Sequence, residues 1–346
     1  MLELHSPDGA FERIEAYLRE HRFFAPGGEE LVADLYLGYG LSETLRRTAV
    51  PPPPEPCPVP VAAVRVCERE FVSIRHKVPS IGSWGRSWSD SDYTEAIESV
   101  RGAIGRGDVY QVNLVQHLSA SFDGDPAALA SVLAPFAPRF LAGEHWAIAS
   151  ASPELFLARR GRRVRTCPIK GTRPLGEHVE GEKDAAEHVM IVDLERNDLS
   201  RVCEPGSVLW PELMAERELA GVTHLVSTVE GTLREDVGLA ALLAATFPGG
   251  SVTGAPKIAA LDLIAALEPV GRGASMGALG TVRGNGDLDL ALTIRTFAVA
   301  AGTIHLWVGG GIVWDSDPEE EIEESWTKAR PLLAAIGAPV EATARR

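Results

Sequence analysis

Residues 288–333 read LDLALTIRTFAVAAGTIHLWVGGGIVWDSDPEEEIEESWTKARPLL, and this stretch decides the fold class. Apolar residues dominate residues 288–299 and 303–309, which predicts two strands. A helix over 318–333 should follow, because Asp317 can N-cap it and Pro318 suits its first turn. Two strands and a helix with one apolar stripe must pack as layers, so both structural classes contribute to one core.

The same pattern continues toward the N-terminus. Residue spacing predicts further strands at 108–122, 145–149, 155–158, 163–167 and 224–231, and further helices at 93–104, 181–202 and 256–267. Strands outnumber helices, and the two types are interleaved. We therefore predict an α+β fold rather than a doubly wound α/β fold.

Proline density marks the domain organisation. Seven of the ten residues from Pro51 to Pro60 are proline, which excludes a regular helix or a central strand there. We predict a short N-terminal segment with this connector over residues 1–60, a main domain over 61–337, and a dispensable tail over 338–346.

Composition excludes several classes of partner. The formal net charge of −15, from 33 basic and 48 acidic residues, argues against nucleic acid and anionic membrane as partners. The four cysteines have no metal-binding spacing, and no apolar segment approaches the roughly 20 residues of a membrane helix. The N-terminus has no signal-peptide pattern, so we expect a cytoplasmic location.

Two pairs of carboxylates have the spacing of a metal site. Glu321 and Glu324 form a stripe with Lys328, beside the apolar stripe of the last helix. Asp184 and Glu187 repeat the i, i+3 spacing on an earlier helix. Together they could form the all-oxygen site that Mg²⁺ accepts. The alternative for each pair is a charged, solvated helix surface.

Eight segments together resemble the chorismate-utilising enzymes, a family that includes anthranilate, aminodeoxychorismate, isochorismate and salicylate synthases. The segments are GDVYQVNL (107–114), SPELF (152–156), PIKGTR (168–173), EHVMIVDLERND (187–198), THLVS (223–227), FPGGSVTGAPK (247–257), TIRT (293–296) and GGGIV (309–313). They run in family order over about 240 residues and end at the helix that carries Glu321 and Glu324.

The resemblance implies a large two-halved α/β sandwich with its site in a central cleft. It implies that Mg²⁺ is bound directly by Glu187 and Glu324, with Asp184 and Glu321 in the outer shell. It also implies substrate-binding residues: Arg295, Lys328, the backbone at Gly309, Gly310 and Gly311, Thr253 and Gln111. By the same resemblance His224 would lie over the ring of chorismate.

Three positions separate the reactions of this family. Relatives that add water at C2 carry a lysine base where this chain has Gln111. Because glutamine cannot take a proton, Gln111 argues against isochorismate and salicylate synthesis. Glu154 resembles the general acid for the departing C4 hydroxyl. Lys170 resembles the lysine of aminodeoxychorismate synthases, which attacks C2 and is then displaced by ammonia. To attack, its amine must lose a proton, so burial or a neighbouring charge such as Arg173 must lower its pKa.

The resemblance therefore favours aminodeoxychorismate synthase component I, supplied with ammonia by a separate glutamine amidotransferase subunit. Anthranilate synthase component I is one alternative. A non-catalytic chorismate-binding relative is another, because Ser275 stands where the family commonly has a tyrosine that helps to hold the pyruvyl group. We expect Ser275 to weaken chorismate binding or to let a water bridge the gap.

Overall fold

The computed structural model describes residues 1–67, 79–174, 182–219 and 222–337. The strands are β1 (Leu2–Leu4), β2 (Val32–Leu37), β3 (Ala62–Cys67), β4 (Ser80–Ile81), β5 (Gly85–Arg86), β6 (Gln111–Asp123), β7 (Arg139–Ala142), β8 (Trp146–Ser150), β9 (Leu155–Arg160), β10 (Arg163–Cys167), β11 (Ile169–Pro174), β12 (Leu209–Leu219), β13 (Val222–Thr232), β14 (Gly254–Ala255), β15 (Ala278–Arg283), β16 (Leu288–Leu292), β17 (Thr296–Ala300) and β18 (Thr303–Ile312). The helices are α1 (Ala10–Glu20), α2 (Asp90–Gly105), α3 (Ala127–Val132), α4 (Glu182–Ser200), α5 (Leu239–Thr246), α6 (Lys257–Leu267) and α7 (Pro318–Ala335).

Two antiparallel sheets form the framework. The larger has the order β1-β3-β2-β15-β16-β9-β10-β13-β11, with β12 on the other edge of β13. The smaller has the order β14-β6-β18-β17-β8-β7, and β4 and β5 also pair with β6. This mixed two-sheet architecture confirms the α+β prediction.

Three hydrophobic clusters hold the layers together. The largest joins side chains of both sheets, such as Leu157 and Leu290 of the large sheet with Ile148 and Trp307 of the small one. A second packs α7 onto the small sheet, and a third packs α2 and α6 onto β6. The small sheet is thus covered on both faces, as its nearly continuous apolar strands require.

The predicted boundary near residue 60 falls inside the large sheet. β2 pairs with β3 along its whole length and with β15 on its other edge. The N-terminal segment therefore contributes strands to the same sheet as the main domain. The Pro-rich connector contains no helix or strand, as predicted, and the predicted tail lies outside the described residues.

The single strand predicted over residues 288–299 is wrong. β16 ends at Leu292 in the large sheet, and β17 begins at Thr296 in the small sheet. Between them Arg295 has a left-handed backbone with φ of 50°, and its carbonyl accepts a hydrogen bond of 3.0 Å from the Ala151 amide. The chain uses these residues to cross from one sheet to the other.

Within the described ranges, no helix combines the length and the apolar character that crossing a bilayer needs.

Candidate active site

Glu154 is a buried carboxyl group at the start of β9. It is 4% exposed, and its Oε1 accepts a hydrogen bond of 2.6 Å from the Ser251 hydroxyl. Burial raises the pKa of Glu154, while the Ser251 hydrogen bond, the Lys170 charge, the Ile169 amide and the Arg295 charge oppose that rise. Because the net pKa shift is upward, Glu154 holds its proton to a higher pH than a solvated glutamate, as a general acid must.

Lys170 lies on β11, where its charge acts on Glu154. The ladder between β11 and β13 pairs Lys170 with Leu225 and then shifts register before pairing Thr172 with His224. This bulge is possible because Gly171 adopts a φ of 62°, which glycine tolerates. Lys170 is half-buried. The side chain of Arg173, the cation predicted to lower the pKa of Lys170, lies outside the described residues.

His224 is held against the same bulge. Its Nδ1 lies 3.0 Å from the Gly171 carbonyl oxygen. Because a carbonyl can only accept, Nδ1 must carry the proton and donate it. Burial lowers the pKa of His224, although the Gly171 hydrogen bond opposes this. Gly171, which follows Lys170 in the chain, thus accepts a hydrogen bond from the His224 ring.

Arg295 approaches Glu154 from the crossing between the sheets. Burial lowers the pKa of Arg295, and the Glu154 carboxylate opposes that change. Three residues that were predicted separately, Glu154, Lys170 and Arg295, therefore share one electrostatic neighbourhood.

The acidic stripe of α7 meets β18 at Gly310. Asp317 caps α7, as predicted, by accepting hydrogen bonds from the amides of Glu319 and Glu320 at 2.9 and 3.1 Å. A Cβ placed on Gly310 would lie 3.2 Å from Glu321 Oε2, 3.5 Å from Glu324 Oε1 and 3.7 Å from Lys328 Nζ. The absence of a side chain on Gly310 thus leaves space in front of two carboxylates and one ammonium group.

Hydrogen bonds orient the polar groups of α7. Ser316 Oγ donates to Glu321 Oε1 at 2.6 Å. Lys328 Nζ donates to the Gly309 carbonyl at 2.8 Å and lies 2.6 Å from Glu324 Oε1. Trp326 and Ala329 are buried on the neighbouring face, which confirms the predicted apolar stripe.

The carboxylates of α7 have the donor chemistry of a hard divalent cation, because Glu321 and Glu324 offer only oxygen atoms to the space over Gly310. On α4, Glu187 is half-buried. The side chain of Asp184 lies outside the described residues. Among the side chains that are described, no group of three or more His, Cys, Asp or Glu residues has a metal-binding arrangement. The predicted Mg²⁺ site stays a prediction, and the α7 pair is the part of it that the structure fits.

Gln111 is the first residue of β6, the strand that pairs with β18 along the glycine segment Gly309–Gly311. It is fully buried, and a Cβ on Gly311 would collide with its amide group. Within the described ranges, neither the amide nitrogen nor the amide oxygen of Gln111 has a hydrogen-bond partner. A buried amide of this kind is suited to bind a polar group of a ligand.

Thr253 is buried in the loop between α5 and α6. Its hydroxyl donates to the Gly249 carbonyl at 3.0 Å, and its own carbonyl accepts from the Asn113 amide at 2.8 Å. The Thr253 side chain therefore holds the shape of its own loop, and its predicted substrate contact stays a prediction.

The sequence profile of the chorismate binding enzyme family matches residues 40–334. The chain belongs to the chorismate binding enzymes.

The chain is similar to several named members of this family. The chain is 42% identical to anthranilate synthase component 1 of Thermus thermophilus over 279 residues, which is 75% of this chain and 60% of that protein. It is 41% identical to aminodeoxychorismate synthase component 1 of Escherichia coli over 269 residues, 73% of this chain and 59% of that protein. The chain thus matches about three fifths of the length of these relatives.

A solved structure confirms the fold of this chorismate binding enzyme. The crystal structure of anthranilate synthase component I from Streptococcus pneumoniae has a TM-score of 0.75 at 27% identity, covering 87% of this chain and 80% of that one. The two-sheet sandwich is therefore the fold of the family, as the resemblance implied.

Sequence reasoning gave no role to several buried groups around Glu154. Lys257 Nζ lies 2.5 Å from Asp198 Oδ2 and donates to the Pro248 carbonyl at 2.7 Å. Glu195 Oε2 accepts a hydrogen bond of 2.8 Å from the Thr166 hydroxyl. Lys257, Asp198 and Glu195 lie within the segments that resemble the family, but only the folded chain shows that the Glu154 charge acts on Glu195.

Ser275, which replaces the commonly found tyrosine, is fully buried. Its hydroxyl donates to the Thr293 carbonyl at 3.2 Å. The side chain thus supports the segment that leads to Arg295. Its predicted effect on chorismate binding stays a prediction.

Proposed function

We propose that this chain is an aminodeoxychorismate synthase component 1, which converts chorismate and ammonia into 4-amino-4-deoxychorismate and water. The observation that carries the proposal is the position of Lys170, which acts electrostatically on the buried acid Glu154 and adjoins the glycine that binds His224. A nucleophile beside a protonated acid suits a substitution in which hydroxide is a poor leaving group.

The residues divide the reaction into two steps. The unprotonated amine of Lys170 attacks C2 as the C4–oxygen bond breaks, and Glu154 gives its proton to the leaving hydroxyl, which departs as water. Ammonia then attacks C4, and the bond between C2 and Lys170 breaks, so that the amino group remains on C4 and the lysine is regenerated. Arg295 and Lys328 are the cations that would bind the pyruvyl carboxylate, and His224 would lie over the ring.

Mg²⁺ would be held by Glu187 and Glu324, with Glu321 and Asp184 behind them. When bound, it would neutralise the ring carboxylate of chorismate, which helps an acidic protein to accept a dianion. Ammonia would come from a glutamine amidotransferase subunit, which the "component 1" names of the relatives support.

The second candidate is anthranilate synthase component 1, favoured by the 42% identity to the Thermus thermophilus protein. Incubation with chorismate, Mg²⁺ and ammonium, followed by mass spectrometry, separates the two. We expect 4-amino-4-deoxychorismate. Anthranilate with pyruvate as the sole products would replace the first function by the second, and no turnover would favour a binding protein.

Lys170→Ala tests the covalent route. We expect C4 amination to fall to background while chorismate still binds, because the variant removes the nucleophile and leaves Glu154 and Arg295 in place. Arg165→Ala, which removes an exposed cation from β10, the strand that precedes β11 along the chain, is the matched control and should remain active. A fully active Lys170→Ala enzyme would refute the covalent route.

A further inference from the structure

A cavity outside the candidate active site lies at the far end of β9. Its volume is about 320 Å³, which is within the range of small-ligand sites. Glu154 precedes the first residue of β9, and Arg160 is the last, so the cavity lies ~20 Å from Glu154 along the strand. Residues from four strands line it: Arg139 of β7, Arg160 of β9, Thr281 and Arg283 of β15, and Leu288 and Asp289 of β16.

The register of the large sheet places the polar lining residues on one face. Thr281 pairs directly with Asp289, and directly opposed residues of antiparallel strands share a face. Arg283 is two residues beyond Thr281, and side chains at i and i+2 lie on the same side of a strand. Asp289 also pairs with Ala158, which is two residues before Arg160. Arg283, Asp289 and Arg160 therefore face the same cavity.

Three guanidinium groups share one carboxylate in this cavity. Arg139, which comes from the small sheet, donates a hydrogen bond to Asp289, and Arg160 Nη2 lies 3.7 Å from Asp289 Oδ2. Within the described ranges, the Arg283 guanidinium has neither an ion-pair partner nor a hydrogen-bond acceptor. Three cations and one carboxylate leave an excess of positive charge here, although the whole chain has a formal net charge of −15.

The carboxylates on the flanking strands have arginine partners of their own. Asp34, on β2 beside β15, accepts hydrogen bonds of 3.1 and 2.7 Å from Nε and Nη2 of Arg65. Arg163, on β10 beside β9, lies 2.6 Å from Glu230. Because both pairs are complete in themselves, neither supplies a counter-charge to Arg283. That counter-charge must come from the solvent or from a bound anion.

The geometry of arginine defines the class of ligand. Arg160 Nη1 donates to the carbonyls of Leu288 and Arg159 at 2.7 and 2.8 Å, which holds its guanidinium group against the backbone of the sheet. A guanidinium presents five N–H donors in a planar fork, and this fork matches the oxygens of a carboxylate or a phosphate. The buried Leu288 adds an apolar wall. A cavity of this size and charge suits an organic molecule with more than one negatively charged oxygen group.

We propose that this cavity is a second ligand site, in which Arg139, Arg160 and Arg283 bind a small organic anion with two or more carboxylate or phosphate groups. The site does not depend on which product the active site makes. Asp289 orients Arg139 and competes with the anion for the guanidinium groups, so the charge of the carboxylate opposes binding.

Isothermal titration calorimetry of the full chain tests the site with two probes, citrate and pyrophosphate. The titrations are done at low salt, because salt screens exposed charges, and without Mg²⁺, because pyrophosphate chelates it. Tighter binding of citrate would identify a polycarboxylate site and tighter binding of pyrophosphate a phosphate site, and either result supports the proposal.

Arg283→Ala should weaken binding of the tighter probe by about tenfold or more, because it removes charge-assisted hydrogen bonds. Arg106→Ala is the matched control, since it removes an exposed arginine that pairs with Asp108 at 3.0 Å elsewhere on the surface. It should bind the probe as the native chain does. Binding that survives in Arg283→Ala but is lost in Arg295→Ala would place the anion in the active site and overturn the proposal.

Asp289→Asn tests the same site by a gain of binding, which misfolding cannot produce. The substitution removes the competing charge, so the Kd of the tighter probe should fall several-fold. No binding of either probe to the native chain, or an unchanged Kd in Arg283→Ala, would overturn the proposal. If Arg283→Ala fails to fold, an unchanged or raised Kd in Asp289→Asn overturns it.

Discussion

Two buried ionic groups meet at the turn Gly250–Val252, and they are compensated to different degrees. The first is the ion pair of Glu268 and Arg272. Arg272 Nε donates to Glu268 Oε2 at 2.8 Å and its Nη2 donates to Oε1 at 2.7 Å, while its Nη1 donates to the Val252 carbonyl at 2.8 Å. Glu268 Oε1 also accepts from the Val115 amide at 3.1 Å.

The second group contains Glu154, Glu195 and Asp198, three buried carboxyls with one directly bonded ammonium, that of Lys257. The Glu268–Arg272 pair should stay ionised, because each charge has a counter-charge and hydrogen bonds. Of these three carboxyls Asp198 has the direct ion pair, whereas Lys170 and Arg295 act on Glu154 only as nearby charges, so the protonation of Glu154 and Glu195 is more easily changed. The first arrangement suits a structural joint, and the second suits proton chemistry.

The largest expected effect comes from breaking the structural pair. Arg272→Met leaves Glu268 buried without its partner, so the free energy of unfolding should fall by about 3–5 kcal/mol. Urea denaturation followed by circular dichroism measures this. Replacing both residues, Glu268→Leu with Arg272→Met, should restore much of the loss. If Arg272→Met were as stable as the native chain, the Glu268–Arg272 pair would have no structural role.

Glu154→Gln should affect chemistry more than stability. Glutamine can still accept the Ser251 hydrogen bond but cannot give a proton, so kcat should fall by about 100- to 10,000-fold. The free energy of unfolding should change less than in Arg272→Met. The amination assay and the same denaturation experiment together check both parts. Normal turnover would remove Glu154 from the acid role.

The smallest effect should come from a surface ion pair. Arg163 and Glu230 lie 2.6 Å apart across β10 and β13, and the Arg163 side chain is 69% exposed. Because water solvates the Arg163 guanidinium, Arg163→Gln should cost less than about 1 kcal/mol and leave turnover unchanged. If Arg163→Gln lowered the free energy of unfolding as much as Arg272→Met, burial would not explain why the two ion pairs differ in their contribution to stability.

The fold was predictable where local signals and packing agree. The helix α7 begins at Pro318, as predicted, because Asp317 supplies the cap and the following residues supply a single apolar stripe. The strand over 288–299 was predicted wrongly, because its apolar pattern continues without a turn residue. Only the folded chain reveals the crossing, through the left-handed backbone of Arg295 and the hydrogen bond that its carbonyl accepts from the Ala151 amide.

The candidate site was predictable only in part for a related reason. Lys170 and Glu154 belong to short segments whose resemblance to a family implies a role. The relation of Glu195 to Glu154 depends on α4 and β9 meeting at one turn, and no spacing along the chain expresses that meeting. Charge balance in a buried cluster is a property of the folded chain.

The bulge at Gly171 also limits how this site can be altered by engineering. A regular strand sends successive side chains to opposite faces, and a bulge resets that alternation. Deleting one residue from β11, or forcing a bulky residue at Gly171, would therefore present the opposite face of the strand to Glu154 from that point onward. A redesign that moves Lys170 to another position would also have to move the bulge at Gly171, because the bulge sets which face of β11 carries the lysine.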